Sequence, residues 1–373
     1  MSRLMGALRP ALFSLDPETA HAAAVRAAGL AAPVLARTPG FRVSDPRLRE
    51  TVWAVDFPNP VGLAAGYDKW GAAIAGWHAL GFGFVEVGTV TPGPQEGNPA
   101  PRLFRLPDDD ALINRMGFNN DGAPATANRL AAAARGGWLR RVPLGVNIGK
   151  HKTTTAELAV RDYTAALDRL WPYASYVVMN VSSPNTPGLR ELQGASALAG
   201  LLDAVIEMNR DKAVMTGQRP RPVLVKIAPD LTSEQVDAIV DLVRDVGGDG
   251  IIACNTTVAR AGLRSPASLT GQEGGLSGRP LAGPSMDVLR RVVARAPELP
   301  VISVGGIFSA DDAWERLAAG ARLVQVWTAL VYEGPRVAAR INRGLLERME
   351  REGVAHVSEI RPRDVRDAAP PGA

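Results

Sequence analysis

The chain has 373 residues, 46% of them apolar and 21% charged, the balance of a globular protein with a sizeable core. Its 42 basic and 38 acidic residues leave a net charge of +4, an excess that makes no case for a nucleic-acid partner, whose footprint is a clustered basic stripe. Cys254 is the sole cysteine, and His21, His78, His151 and His356 are scattered without metal-ligand spacing, so neither a disulfide framework nor a metal centre is expected.

Residues 1–50 read as two short helices, 4–15 and 19–35, broken at Asp16-Pro17 and closed by Pro33 and Thr38-Pro39-Gly40. Arg9, Asp16 and Glu18 interrupt the first apolar stretch, which argues against a signal peptide. No apolar run approaches the roughly 18 residues of a spanning helix. The second helix carries a broad alanine-rich surface, and the segment holds seven arginines against four acids. Two readings stay open at this point, a helical plug packed on the rest of the fold and an interfacial pair lying on a membrane, with the arginine excess leaning to the second.

From about residue 54, short β-branched runs alternate with longer alanine- and leucine-rich stretches. Eight strands are expected, at 61–65, 84–89, 144–149, 176–182, 223–228, 250–256, 301–307 and 323–328. Most are near-continuous apolar runs, as strands buried on both faces must be. Helical patterns at 157–170, 197–209, 233–246 and 310–319 separate them, with N-cap signals at Thr232 or Ser233 with Glu234, and at Ser309. Eight such units fit a closed (β/α)8 barrel, the TIM-barrel class, with a small N-terminal helical extension. An open doubly wound sheet would need a glycine fingerprint opening a helix, and the sole near match, Gly81-Phe82-Gly83, precedes a strand.

In such barrels the chemistry gathers at the C-terminal ends of the strands. The chain has only five lysines, and Lys69 and Lys226 fall at two of those ends. A buried ammonium is costly, so an anionic partner is implied. Asn147, Asn180, Asn185 and Asn255 recur on the same rim, with Asn114 in the loop after the second strand. An amide both donates and accepts, which suits rings edged with alternating C=O and N–H. Gly305-Gly306 and Trp327-Thr328 follow the seventh and eighth strands, where freed backbone N–H groups could hold a phosphate. A lone asparagine there is usually a loop cap and a Gly-Gly pair a tight turn; the convergence of the set carries the functional reading. With no histidine at a strand end, the candidates for proton transfer are Ser183, Thr256, Cys254 and Lys69.

Motifs along nearly the whole chain resemble those of the class 2, quinone-dependent dihydroorotate dehydrogenases: FSLDPETAH at 13–21, NPVGLAAGYDK at 59–69, GTVTP at 88–92, PRLFR at 101–105, INRMGFN at 113–119, GVNIGK at 145–150, NVSSPNTPGLR at 180–190, KIAPD at 226–230, NTT at 255–257 and GGLSGRP at 274–280. The resemblance implies FMN across the barrel mouth, contacted by Ala65, Gly66, Lys69, Thr89, Asn147, Asn180, Lys226, Cys254, Gly278, Gly306, Trp327 and Thr328. It places dihydroorotate against Lys69, Asn114, Arg115, Met116, Gly117, Phe118, Asn180, Asn185, Asn255 and Thr256, and makes Ser183 the catalytic base. Class 1 relatives carry cysteine at that position. His21 and Arg105 match residues near the quinone, and the loop 182–194 would act as a lid. Two positions depart from the family pattern: Cys254 stands where threonine is common, and Trp327 where tyrosine is.

The expected organisation is a membrane-docking, quinone-tunnel segment over 1–45, an FMN-binding barrel over 46–361 and a tail over 362–373. The partners implied are dihydroorotate and orotate, a membrane quinone and the membrane surface, with no nucleic acid. The setting implied is a monomer docked peripherally on the cytoplasmic side of a bacterial-type cell membrane. A class 1 enzyme using fumarate or NAD would want cysteine at 183 and no helical extension. A flavin barrel modifying RNA would want a basic face, and a non-enzymatic membrane scaffold would not need the lysines and asparagines of the rim.

Overall fold

The computed structural model describes residues 13–362. The expected helix 4–15 lies mostly outside these residues, as does the tail beyond Pro362. Helix α1, Pro17–Leu35, starts where Asp16 accepts a hydrogen bond from the Thr19 backbone N–H at 2.8 Å, with Pro17 in the first turn where no N–H is needed. Pro33 sits inside its last turn rather than ending it. One face of α1 is buried, Ala28 against Gly76 of the helix Ile74–Ala79 and His21 against the Tyr67 and Trp327 rings, with Val25 and Ala32 also buried, while Leu30 and Val34 are 85% and 68% exposed. Among the described residues, no helix is long and apolar enough to cross a membrane.

A hairpin of β1 (Glu50–Val52) and β2 (Val55–Phe57) precedes the barrel. Eight parallel strands follow: β3 (Val61–Leu63), β4 (Phe84–Val90), β7 (Leu144–Ile148), β8 (Tyr176–Asn180), β9 (Val223–Ile227), β10 (Gly250–Ala253), β12 (Val301–Val304) and β13 (Leu323–Val326). The circle closes where β13 pairs with β3, Val324 opposite Val61. The expected eight strands are these eight, but most end one to three residues earlier than the apolar runs suggested. Beyond those points single cross-strand hydrogen bonds continue, Cys254 N–H to the Val304 carbonyl at 3.1 Å and Asn255 N–H to the Ile227 carbonyl at 2.9 Å, before the chain lines the mouth.

The barrel is filled, as strands buried on both faces require. Phe57, Phe84, Tyr176, Leu224, Ile252 and Ile302 pack inside it, with the Phe57 and Phe84 rings edge to face at 5.2 Å. Gly62 makes the room: a Cβ there would lie 2.3 Å from the Phe84 ring. A larger apolar cluster lies between the strands and the surrounding helices. The helix Ser233–Val246 opens on a reciprocal capping box between Thr232 and Gln235, one residue on from the expected Glu234, and Ser309 with Asp312 does the same for Ala310–Ala318. The helix expected at 197–209 runs further, over Ala195–Thr216.

Neither the β1–β2 hairpin nor a three-stranded sheet beside the barrel was expected. β5 (Leu103–Leu106), β6 (Ala111–Asn114) and β11 (Gly275–Gly278) pair antiparallel in the order β11-β6-β5, joining the insertions after β4 and β10. Asn114 is therefore the last residue of a strand in this sheet, not a loop residue. Asn114, Ser277 and Gly278 carry the sheet onto the mouth of the barrel.

Candidate active site

The mouth encloses a cavity whose wall is made by strand ends, the small sheet and α1. Of the residues singled out from sequence, the structure brings together Ala65, Gly66, Lys69, Thr89, Asn180, Ser183, Lys226 and Cys254 in this wall. It adds Asn185, Asn255, Thr256, Gly278, Gly306, Trp327, Thr328 and His21 on the same surface. Asn114, Met116, Gly117 and Phe118 close it from the side of the small sheet.

Two expected residues do not line the cavity. Arg115 points away: its guanidinium donates to Gln272 Oε1 at 3.1 Å and to the Pro101 carbonyl at 2.9 Å, and lies over the Phe104 ring. Asn147 is fully buried behind Thr89, whose hydroxyl donates to Asn147 Oδ1 at 2.5 Å. Asn180 Nδ2 donates in turn to Thr89 Oγ1 at 2.7 Å, so Asn147 acts on the wall through two neighbours.

The root of this network is Glu86, a fully buried carboxylate in the apolar strand β4. It accepts from Asn147 Nδ2 at 2.8 Å and from Gln325 Nε2 at 2.7 Å, and lies 3.9 Å from Lys226 Nζ. Gln325 lines the cavity, and its buried Oε1 has no hydrogen-bond partner among the described residues. Sequence reasoning missed Glu86, Gln325 and Ser277, which accepts a hydrogen bond from the Thr328 hydroxyl at 2.8 Å. The signal was there for the first two: Glu86 is the one charged side chain of buried strand β4, and Gln325 the one polar side chain of buried strand β13.

Lys69 follows β3 and is 5% exposed. Among the described residues its ammonium makes no hydrogen bond or ion pair, and burial lowers its pKa to about 8. Its nearest charges, Glu18 paired with Arg102 and the neighbouring Asp68, do not contact it, and its Nζ lies over the Trp70 ring at 5.4 Å, so the buried cation has room for an anionic ligand. Ser183, also buried, accepts from the Asn185 backbone N–H at 3.3 Å. Asn185 Nδ2 donates to Asn114 Oδ1 at 3.2 Å, which ties the loop after β8 to the small sheet. Asn255 Nδ2 donates to Ser182 Oγ at 3.0 Å. Burial pushes the Cys254 thiol up to about 12, so it stays protonated as a small buried side chain. At Gly306 the backbone has φ +71°, and a Cβ would lie 2.4 Å from Ala282 Cα, so only glycine fits.

A second cavity of about 420 Å³ lies between α1 and the barrel. It is lined by alanines of α1, Tyr67, Leu330 and Val331, and it meets the first cavity at His21, Leu103, Leu112 and Trp327. The His21 and Trp327 rings stack at 5.6 Å, 3° from parallel, and Tyr67 packs against both. Burial, with repulsion from Lys69, lowers the His21 pKa to about 3, so the ring is neutral at ordinary pH. Arg105 lines this second cavity and donates to the Phe13 and Leu15 carbonyls, at 3.2 and 2.8 Å.

Comparison with known proteins matches residues 47–349 to the family described as Dihydroorotate dehydrogenase. A protein of Gloeobacter violaceus named Dihydroorotate dehydrogenase (quinone) is 50% identical over 355 residues, covering 94% of this chain and 96% of its own length. One of Mycolicibacterium smegmatis with the same name is 52% identical, covering 94% and 97%. The crystal structure of the Eimeria tenella DHODH in complex with ferulenol superposes with a TM-score of 0.84 at 38% identity, over 94% of this chain and 97% of that one.

Proposed function

The chain belongs to the dihydroorotate dehydrogenase family, in its quinone-dependent branch, and from that premise we propose how its two cavities divide the work. The activity is the oxidation of dihydroorotate in pyrimidine biosynthesis with a quinone as electron acceptor. The family is flavin-dependent, and the first cavity suits FMN. Its buried ammonium groups at Lys69 and Lys226, the spare acceptor at Gln325 Oε1 and the glycine backbone at Gly278 and Gly306 match an anionic, donor-bearing ring with a phosphate. Ala65, Gly66, Thr89, Asn180, Cys254, Trp327 and Thr328 complete that wall, with Asn147 holding Thr89 from behind. Bound there, FMN would accept the hydride that leaves C6 of dihydroorotate.

The chain's own part in the chemistry is to bind, orient and take a proton. Asn114, Asn180, Asn185, Asn255 and Thr256 offer donors and acceptors to the pyrimidine ring, and Met116, Gly117 and Phe118 form its flank. Lys69 offers positive charge where negative charge sits or develops. Ser183 takes the proton from C5. A serine hydroxyl ionises far above pH 7, so it must relay that proton onward to a water or a neighbouring hydroxyl. The lid over residues 182–194 excludes bulk water while this happens.

The second cavity receives the quinone, with His21 and Arg105 at its walls and the apolar face of α1 turned to the lipid. On this reading the described part of residues 1–45 docks on the membrane and 46–361 form the catalytic barrel. The protein is a monomer held peripherally on the cytoplasmic face of a bacterial-type membrane.

One observation carries the site assignment: Lys69, a buried ammonium with no direct ion pair or hydrogen bond among the described residues, shares a cavity with Ser183 and the five polar side chains of the ring pocket. The test is dihydroorotate-dependent reduction of a short-chain ubiquinone by the detergent-purified yellow protein, beside cuvettes with fumarate or NAD. Quinone reduction alone is expected, with Ser183→Ala slowing flavin reduction by roughly 100- to 10,000-fold. Turnover with fumarate or NAD, or an unaffected Ser183→Ala variant, overturns the reading.

A further inference from the structure

Arg190 closes the NVSSPNTPGLR segment, and it does not line either cavity. Its guanidinium is nevertheless spent on the mouth. Nε donates to the Ser182 carbonyl at 3.0 Å, one Nη donates to the Thr256 carbonyl at 3.1 Å, and the other pairs with Asp230 Oδ2 at 3.0 Å. These acceptors come from three different loops, those after β8, β10 and β9. Asp230 extends the tie, since its Oδ1 accepts from the Thr257 hydroxyl and, at 3.3 Å, from the Val258 backbone N–H.

The Ser182 carbonyl belongs to the peptide plane that leads into Ser183. The Thr256 carbonyl ends the short segment after β10 that presents Asn255 and Thr256 to the cavity. One rigid fork therefore fixes the base and part of the ring pocket relative to each other. The rest of the lid is held elsewhere: Lys150 Nζ donates to the Pro187 carbonyl at 2.9 Å and Asn98 Nδ2 to the Asn185 carbonyl at 3.2 Å. A lysine at 190 would bring its donors to a single point, whereas the planar guanidinium presents Nε and both Nη groups in fixed directions to acceptors on three separate loops.

We propose that Arg190 is a positioning residue for proton abstraction, acting by clamping the Ser182–Ser183 peptide to the Asn255–Thr256 turn with Asp230 as its anchor. The proposal rests on the reading of Ser183 as the base. A misplacement of about 1 Å in a reacting group costs on the order of 100-fold in rate, and that is the scale expected when the fork is lost.

The test uses the flavin-loaded enzyme and its Arg190→Ala, Arg190→Lys, Asp230→Asn and Ser183→Ala variants. Flavin reduction by dihydroorotate and reoxidation by a short-chain ubiquinone are timed separately. Hydrogen–deuterium exchange is followed over residues 182–194. Arg190→Ala should slow reduction about 100-fold, leave reoxidation within about twofold, raise exchange in the lid and recover part of its rate with added guanidinium ion. Arg190→Lys and Asp230→Asn should fall between, and they carry the test if the alanine variant does not fold. The double variant Ser183→Ala/Arg190→Ala should be no slower than Ser183→Ala alone, because a clamp without a base to place has nothing left to do. Reduction within twofold of wild type in the Arg190 variants overturns the proposal. So does an equal loss of reduction and reoxidation, which marks a merely structural residue. If Ser183→Ala itself reduces its flavin at full speed, the base assignment fails whatever the Arg190 variants do.

Discussion

Glu86→Gln is the sharpest test of the buried network beneath the cavity. The substitution keeps the side chain's shape and removes its charge. Glu86 is fully buried, its two oxygens take amide donors from Asn147 and Gln325, and Lys226 stands 3.9 Å away. A glutamine must turn an NH2 group toward one of those donors. Gln325 can meet it by turning its amide over, because its own Oε1 is buried without a partner. The hydrogen bonds are therefore recoverable and the charge is not. Stranding one member of a buried ion pair costs about 3–5 kcal/mol. The 3.9 Å separation, at the long end for a pair, points to the lower figure of about 3 kcal/mol, or roughly 6 °C at about 2 °C per kcal/mol. Urea unfolding of flavin-stripped wild type, Glu86→Gln, Lys226→Met and the double variant measures it. The two single losses should not add, since removing the second charge relieves the first. A loss below about 1 kcal/mol in Glu86→Gln, or strict additivity in the cycle, would refute the argument that Lys226 needs this carboxylate.

Lys69 titrates near pH 8 in the free protein, so the KM for dihydroorotate should rise towards tenfold per pH unit above that point; in Lys69→Arg the rise should vanish. Its stability effect has the opposite sense to a salt-bridged lysine. The folded pKa lies below the unfolded value of 10.5, so the cost of burying the cation is present below pH 8 and is relieved between pH 8 and 10.5. For His21 the folded pKa of about 3 lies below 6.5, so stability is full above pH 6.5 and falls as acid approaches pH 3. His21→Phe should flatten that acid limb in a pH series of urea midpoints, and a persisting slope would assign it elsewhere. Gly306→Ala forces a Cβ to 2.4 Å from Ala282 Cα at a positive φ, and FMN affinity by fluorescence titration should drop at least about tenfold on the scale of one buried clash. The paired change Leu30→Glu and Val34→Glu puts two charges on the exposed face of α1; co-sedimentation with anionic vesicles should fall several-fold while activity with a soluble quinone analogue holds.

The eight barrel strands were legible because a strand buried on both faces leaves an apolar run that no exposed strand leaves. The small sheet was not. Its members are four residues long, and β11 meets β6 across some 160 positions of chain, Gly275 opposite Asn114. No local alternation that short can announce a partner that far away, and register there is a tertiary fact. The rim residues were legible because lysine and asparagine at strand ends are unusual, but attention to the ends hid Glu86 and Gln325, which sit inside strands and point to the barrel interior. Arg115 shows the opposite failure. It belongs to a contiguous motif, yet it continues an extended segment in which neighbouring side chains alternate, so Asn114 and Met116 face the cavity and Arg115 faces away. Adjacency in a motif is not adjacency in a site. Trp327 makes the complementary case. From sequence it registers as a departure from the tyrosine common in the family. In the fold the indole stacks on His21 and meets the Tyr67 ring at 5.0 Å, at the boundary the two cavities share. The indole gives that boundary a flat aromatic surface between the two cavities, stacked on one ring and edge-on to another.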